Sequence, residues 1–367
     1  MDSARPLQHA VIGVGAGIFA NHRQSLELTG AELVGVSDLN GVVARERAEE
    51  LGCPAYVDHR RLLEETQPEV VVVVTPHPFH AAIAIDALEA GCHVLVEKPI
   101  AVQVTEADAM IEAADRLGRI LAVNFQYRHD PAARAAHRLL REGALGEIQH
   151  VDVTAAVPRT RAYFASAPWR GAWNGEGGGV LLNQAAHHLD LLCYLMGLPE
   201  AVVAWTPTLL HDIETEDTAQ AMLRWPGGAL GSLHVSTAEA GRPERFEFVG
   251  TRGYLRLSGA ELWFERSDVD FREYVCYSEE RYRGPERRIV PVEFDPGRGD
   301  HLAVYRDLHA AIRGSGTVAV DGREGLMSLE LANAMIASYR SGGEVTLPLD
   351  RERYARLLAE LQERGVA

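Results

Sequence analysis

The sequence predicts an α/β protein in which a doubly wound parallel sheet is followed by an α+β half built on a large, mostly antiparallel open sheet. Three observations carry this. Up to about Phe125 short apolar runs alternate with amphipathic segments, the pattern of parallel strands joined by crossover helices. Those runs are unbroken instead of alternating, as strands covered on both faces must be. After "YRHDP" the pattern changes to one helix and then to many strand-like runs separated by short turns containing glycine.

In order, the buried strands are "AVIGV" (10–14), "LVGVS" (33–37), "VVVVVT" (70–75), "HVLV" (93–96) and "ILAVNF" (120–125). The segment "HAAIAIDALEAG" reads as a crossover helix closed by Gly91, and "VTEADAMIEAADRLG" as another, capped by Thr105 and closed by Gly118. Beyond the helix "PAARAAHRLLREG" come "IQHVDVTAAV", "TAQAMLRW", "ALGSLHVST", "RFEFVG" and "GYLRLS", then helices near 301–313, 323–341 and 351–364. The domains are therefore expected at 1–126 and 127–367. The boundary is a change of pattern without a change of composition, which predicts two domains in close contact.

Composition narrows the function. A chain of 367 residues, 47% hydrophobic and 24% charged, is globular and can bury a substantial core. A net charge of −16 without a basic cluster argues against nucleic acid or an anionic membrane as partner. Cys53, Cys92, Cys193 and Cys276 are scattered, as expected of reduced thiols in the cytoplasm, and a structural zinc is not expected. No apolar run is long enough to span a bilayer or to read as a cleaved leader, so the expectation is a cytoplasmic protein.

Chemistry concentrates at the ends of the strands. "IGVGAGIFANH" puts Gly13, Gly15 and Gly17 between the first strand and a helix, where backbone amides can receive a pyrophosphate, with Ile18 and Phe19 beside it. The spacing departs from G-x-G-x-x-G/A, since the sixth position is Ile18 and a small residue, Ala20, comes two positions late. Asp38, about 20 residues on at the end of the second strand, would bind the ribose hydroxyls and select NAD over NADP, which is the second choice. The competing reading makes Asp38 a turn or cap residue before Asn40-Gly41. Thr75, Pro76 and His80, in "TPHPFH", and Gln126 lie where a cofactor would be reached from the neighbouring strands. His77 and His80 could alternatively ligate a metal, but no carboxylate or cysteine accompanies them at a familiar spacing, so none is expected.

Two further stretches invite a catalytic reading. "HVLVEKPIAV" runs an apolar strand straight into Glu97, Lys98 and Pro99, charges that must be paired, solvated or used. A cis peptide before Pro99 would fit a tight turn there. "GGGVLLNQAAHHLDLLCYLMG", drawn as a continuous helix, puts Asn183, His187, Asp190 and Tyr194 in one stripe roughly 60° wide with His188 pointing elsewhere. That stripe has too few charges for a solvent face and suggests a pocket wall. Between them, "RAYFASAPWRGAWNGEGGG" offers Tyr163, Phe164, Trp169 and Trp173 as faces for a sugar ring, with an interface as the competing use. Arg161 and Arg170, also there, could hold a carboxylate instead.

Taken together, the glycine turn, "TPHPFH", "AGCHVLVEKP", "GGGVLLNQAAHHLDLL" and "ANAMIASYRSGGEVTLP" resemble the glucose-fructose oxidoreductase, inositol dehydrogenase and MocA (Gfo/Idh/MocA) family across essentially the whole chain. The resemblance implies a Rossmann domain, a nicotinamide cofactor and a sugar or cyclitol substrate. It assigns Lys98 of Glu97-Lys98-Pro99 as the catalytic lysine and His187 as the histidine of a D-x-x-x-H motif. Asn183 stands where that motif has aspartate, and Cys92 where lysine is common.

The implied chemistry is hydride transfer, with His187 taking the hydroxyl proton, Lys98 stabilising the alkoxide and Asn183 bonding His187 or a substrate hydroxyl. Glu97 and Lys98 would also border the cofactor, and Tyr127, Arg128, Trp169, Arg170 and Trp173 would line a site for a neutral cyclic polyol. A homodimer or homotetramer through the open sheet is expected by the same resemblance. Two alternatives share the fold: a glycosidase using NAD without net redox change, and a regulator that only binds sugar and cofactor.

Overall fold

The unbroken valine run at 70–74 marks the centre of the first sheet in the computed structural model, which describes residues 5–297 and 299–364. Six parallel strands, β1 (Gln8–Ile12), β2 (Glu32–Ser37), β3 (Ala55–Tyr56), β4 (Val70–Val73), β5 (His93–Val96) and β6 (Leu121–Val123), lie in the order β3-β2-β1-β4-β5-β6. The chain leaves β1 in one direction and returns on its other side at β4. The reversal opens a crevice at the carboxyl ends of these two strands, where ligands of such sheets bind.

The strands stop short of the apolar runs that announce them. β1 ends at Ile12 and β4 at Val73, while Val14 and Val74 remain buried beyond the ladder. The extra apolar residues therefore anchor the loops that form the floor of the crevice. Helices Phe19–Thr29, Gly41–Leu51, His59–Thr66, His80–Glu89 and Val104–Leu117 cover the sheet. Asn40 caps the second by accepting from Val42 and Val43 amides. Thr105 is not the cap expected of it: the last of these helices starts at Val104 after Gln103. A distant side chain does the capping, because the buried Val104 amide donates to Asn333 Oδ1 at 3.2 Å.

The second sheet has nine strands: β7 (Ile148–Ala156), β8 (Ala201–Trp205), β9 (Thr218–Arg224), β10 (Leu230–Ser236), β11 (Arg242–Gly250), β12 (Gly253–Ser258), β13 (Glu261–Arg266), β14 (Arg288–Ile289) and β15 (Val345–Thr346). Only β7 and β10 pair in parallel. Alternation sets its faces: in β9, Ala219, Ala221 and Leu223 are buried while Gln220, Met222 and Arg224 are exposed. Helix Gly322–Ser341 packs on β8 and on helix Ala186–Met196, while Gln220, Met222 and Arg224 on the other face of β9 are exposed.

The two sheets share packing. Helix Gly322–Ser341 also lies on β6, with Gly325 so near the Val123 side chain that a Cβ would come within 2.5 Å of it. Helix His301–Ile312 crosses back over Phe19–Thr29 and buries Tyr305 and Leu308 among Val11, Phe19 and Val70. Among the described residues no helix is long and apolar enough to cross a membrane.

Candidate active site

The crevice begins at Gly13. Its φ of +97° is left-handed, and a Cβ there would sit 2.7 Å from the Thr75 amide nitrogen, so only glycine lets the loop after β1 touch the loop after β4. Asp38 Oδ2 accepts from the Gly15 amide at 2.8 Å and Oδ1 from Asn40 at 2.9 Å, so the acid at the end of β2 ties the turn to the second strand. Part of the competing reading of Asp38 thus holds as well. Gly17 faces open space, and Ile18 sits at the helix start with its side chain exposed. Thr75 Oγ1 and Gln126 Oε1 are buried without hydrogen-bond partners among the described residues. Buried polar atoms normally have partners. Open glycine backbone, an acid on the second strand and unpaired polar atoms on the neighbouring loops together fit a dinucleotide.

Four residues expected on the cofactor make framework contacts. Phe19 is a core side chain. His80 is fully buried, with Nδ1 2.8 Å from Pro99 O and Nε2 2.8 Å from Thr75 O; it clamps two strand ends together and has no nitrogen left for a metal. Pro76 opens the short turn His77–Phe79 that leads to it. Glu97 turns inward, where His22 Nε2 (2.8 Å), Asn124 Nδ2 (2.5 Å) and its neighbour's amide (3.1 Å) contact its carboxylate. Burial opposes its charge, but the hydrogen bond with His22 and the His301 ring 3.5 Å away hold it well below the usual carboxylate range.

Lys98 turns the other way. It follows β5 into a cis peptide with Pro99, and its Nζ donates to the Asn183 carbonyl at 2.9 Å and to Asn183 Oδ1 at 3.3 Å. Burial lowers its pKa, partly offset by Glu97 and Glu176. The whole sequence contains no other lysine; every other basic side chain except histidine is arginine. That signal was available without any structure. A position that keeps lysine when arginine fills all the rest needs a compact ammonium whose charge its surroundings can tune.

His187 stands in the first turn of helix Ala186–Met196, stacked on Tyr127 at 4.6 Å and edge-on to Phe125 at 5.6 Å. Its Nδ1 is buried without a hydrogen-bond partner among the described residues. Burial, helped by the Lys98 charge, pushes its pKa well below the usual histidine range, so the ring is neutral and able to accept a proton. The chain from 178 to 185 is not helical as the wheel assumed. Asn183 therefore does not reach His187: its Nδ2 donates to Glu176 Oε1 and, at 3.0 Å, to Tyr163 Oη.

The wheel also misplaced Asp190, which is fully buried against Arg128 at 2.7 Å. Arg128, expected on substrate, spends its guanidinium on Asp190 and Glu324 and joins helix to loop. Trp173 is likewise buried, its indole N–H donating to Glu214 O at 3.1 Å, and Phe164 packs on His211. Tyr163, Trp169 and Arg170 do gather at the site. Arg170 lies over the Tyr163 ring at 4.2 Å and the Trp169 ring at 4.5 Å, and Trp169 meets the His77 ring at 5.6 Å.

Sequence reasoning passed over the acids that hang this segment in place. Glu176 Oε2 accepts from the Gly171 amide (2.7 Å), Glu214 from Trp173 (2.9 Å), and Glu216 from Gly179 (2.8 Å) and Leu181 (3.1 Å). Burial raises Glu216 to about 7. Glu176 sits among glycines and Glu214 and Glu216 in an acidic run, so none stands out locally, and only the fold reveals that Glu176 and Glu216 are buried.

Known proteins place this arrangement. Residues 7–125 match the model of an oxidoreductase family with an NAD-binding Rossmann fold, and residues 133–256 that of a GFO/IDH/MocA C-terminal domain. Levoglucosan dehydrogenase of Pseudarthrobacter phenanthrenivorans is 26% identical over 85% of this chain and 89% of its own, and myo-inositol 2-dehydrogenase of Thermotoga maritima 27% over 92% and 97%. Among solved structures, the WlbA dehydrogenase of Bordetella pertussis in complex with NADH and UDP-GlcNAcA superimposes with a TM-score of 0.82 at 31% identity, covering 94% of this chain and all of that one. The chain belongs to the Gfo/Idh/MocA family of NAD-dependent oxidoreductases.

Proposed function

We propose that this enzyme moves a hydride between NAD and a secondary hydroxyl of a neutral sugar, anhydrosugar, glycoside or cyclitol, with Lys98 and His187 as catalytic residues. The observation that carries this reading is the sole lysine, held at the carboxyl end of the parallel strand β5. Gly13, Gly15, Gly17, Asp38, Thr75 and Gln126 would hold the cofactor, whose nicotinamide supplies the hydride acceptor or donor.

His187, neutral, takes the hydroxyl proton as the carbon is oxidised, and Nε2 is the nitrogen left for this because Nδ1 is enclosed. Lys98 donates to the same oxygen and stabilises the charge that develops there. Asn183 fixes the ammonium from behind. Reduction of the ketone reverses each step. Trp169 and Tyr163 supply faces for the ring. The related levoglucosan, inositol and D-apiose dehydrogenases support a neutral substrate.

A second reading, a sugar acid, is favoured by Arg159, which has no carboxylate partner among the described residues and whose guanidinium lies 5.0 Å from the centre of the Tyr163 ring. A screen of neutral sugars, cyclitols and anhydrosugars, each paired with its uronic acid where one exists, read by nicotinamide absorbance, tests both. Preference for the acid replaces the first reading with the second. Turnover of a glycoside without absorbance change would instead mark a glycosidase, and binding without any turnover a regulator.

A further inference from the structure

Asn183 breaks the D-x-x-x-H pattern, yet the site is not short of a carboxylate. Glu176, from the helical turn Trp173–Glu176, is 1% exposed, and its Oε1 accepts from Asn183 Nδ2. The amide is thereby oriented: Nδ2 is engaged by Glu176 and Tyr163, so Oδ1 must face Lys98 Nζ. The result is a continuous line of hydrogen bonds from ammonium through amide to carboxylate. A carboxylate taken out of water is costly unless cations or donors compensate it. Burial raises the pKa of Glu176, and the Gly171 and Asn183 donors together with Arg170, 3.9 Å away, oppose that rise. The segment gives Glu176 little freedom, since a Cβ on Gly175 would lie 1.9 Å from the Trp169 carbonyl oxygen.

We propose that Glu176 is a positioning residue that supplies, through the Asn183 amide, the negative charge an aspartate at 183 would give, keeping Lys98 an ammonium beside the substrate hydroxyl. The proposal rests on the reading of Lys98 given above. The charges around Lys98 show why a counter-charge is needed. Arg159 and Arg170 from the segment before the turn, His77 and His80 from the loop after β4, and His187 from the facing helix are cationic or become so on protonation, and each disfavours the ammonium. Glu97 and Glu176 favour it. Glu97 is already engaged by His22 and Asn124 on the far side of the strand, which leaves Glu176 as the acid on the substrate side.

The single lysine makes the test direct. Protein grown with ¹³C-lysine gives one Cε resonance, whose pH titration reports Lys98 without any substrate. Relative to wild type, Glu176→Gln should lower the midpoint by at least about half a pH unit, with NADH binding retained. The double variant Glu176→Gln/Asn183→Asp, which moves the carboxylate back to position 183, should restore it. Once a substrate is in hand, kcat should fall roughly tenfold and recover in parallel. An unmoved midpoint in Glu176→Gln, or no restoration in the double variant, overturns the proposal. If Glu176→Gln does not fold, Glu176→Asp decides, since a shortened acid that no longer reaches the Asn183 amide should also lower the midpoint, and an unchanged one overturns the relay. Because the titration needs no turnover, a wrong substrate reading would leave this result standing and be seen separately.

Discussion

Acid should loosen the helix that braces the cofactor turn, and the amount can be worked out from two histidines. His9 lies in β1 and is fully buried; its Nδ1 lies 2.9 Å from Leu7 O, and its Nε2 lies 3.1 Å from Nε2 of the buried His309, on helix His301–Ile312. With Nδ1–H donating to Leu7, His309 must be the donor between them, and a proton added to His9 Nε2 removes the acceptor and breaks the pair. Burial pushes both from 6.5 down to about 4. A folded value below the unfolded one means stability that is present above 6.5 and lost as pH falls toward 4, because the unfolded chain takes up the proton first. Between pH 7.5 and 5.0 that amounts to about 2 kcal/mol per histidine. Other groups titrate in the same window, so the measurement should be a difference. Urea unfolding followed by far-ultraviolet circular dichroism at both pH values should show His309→Gln losing about 2 kcal/mol less than wild type on acidification. The same loss in both proteins, within about 0.5 kcal/mol, would refute the assignment of these rings as neutral and buried.

Lys98→Arg should lower kcat by roughly 10²–10³ with NADH affinity kept, since a guanidinium cannot take the place of a point charge held on the Asn183 carbonyl; near-normal turnover would remove Lys98 from the mechanism. His187→Gln should cost roughly 10²–10⁴ in kcat, and wild-type oxidation should stay level as pH falls through 6.5, because burial keeps the base neutral there; an acid limb centred at or above the ordinary histidine value would contradict this. NADH should bind at least about tenfold more tightly than NADPH by fluorescence titration, as Asp38 would repel a 2′-phosphate, and tighter NADPH would show that reading to be wrong. Arg128→Leu should destabilise the fold by about 3–5 kcal/mol, because it leaves Asp190 buried without its partner; a raised KM with unchanged stability would return Arg128 to the substrate.

The parallel sheet was legible because its strands are buried on both faces and therefore read as unbroken runs. The glycine turn and Asp38 were legible because each sits at a strand end, where topology fixes what it can reach. What failed were inferences that needed a helix to start in the right place. Asn183, drawn on a wheel with His187, belongs to a non-helical stretch held by Glu216 and Glu176, acids seven or more residues away in sequence. Arg128 looked free in sequence because Glu324 lies 196 positions from it. Long-range pairing of charges leaves no periodic trace, so neither partner could be read locally.

The charges at the end of β5 show how one local rule yields both support and chemistry. Side chains alternate sides along a strand, and the alternation persists one step past the last ladder residue, Val96. Glu97 therefore enters the space under helices Phe19–Thr29 and His301–Ile312, where His22 lies 2.8 Å and His301 3.5 Å from its carboxylate. Lys98 must then emerge on the opposite side, into the crevice. The buried acid fixes the strand end against two helices, and that fixed end gives the one ammonium a defined origin from which four carbons reach Asn183. Exchanging the two residues would bury a lysine against histidines and present a carboxylate to the alkoxide, unfavourable on both sides. The order Glu-Lys at this point is thus required by the fold and by the proposed chemistry together.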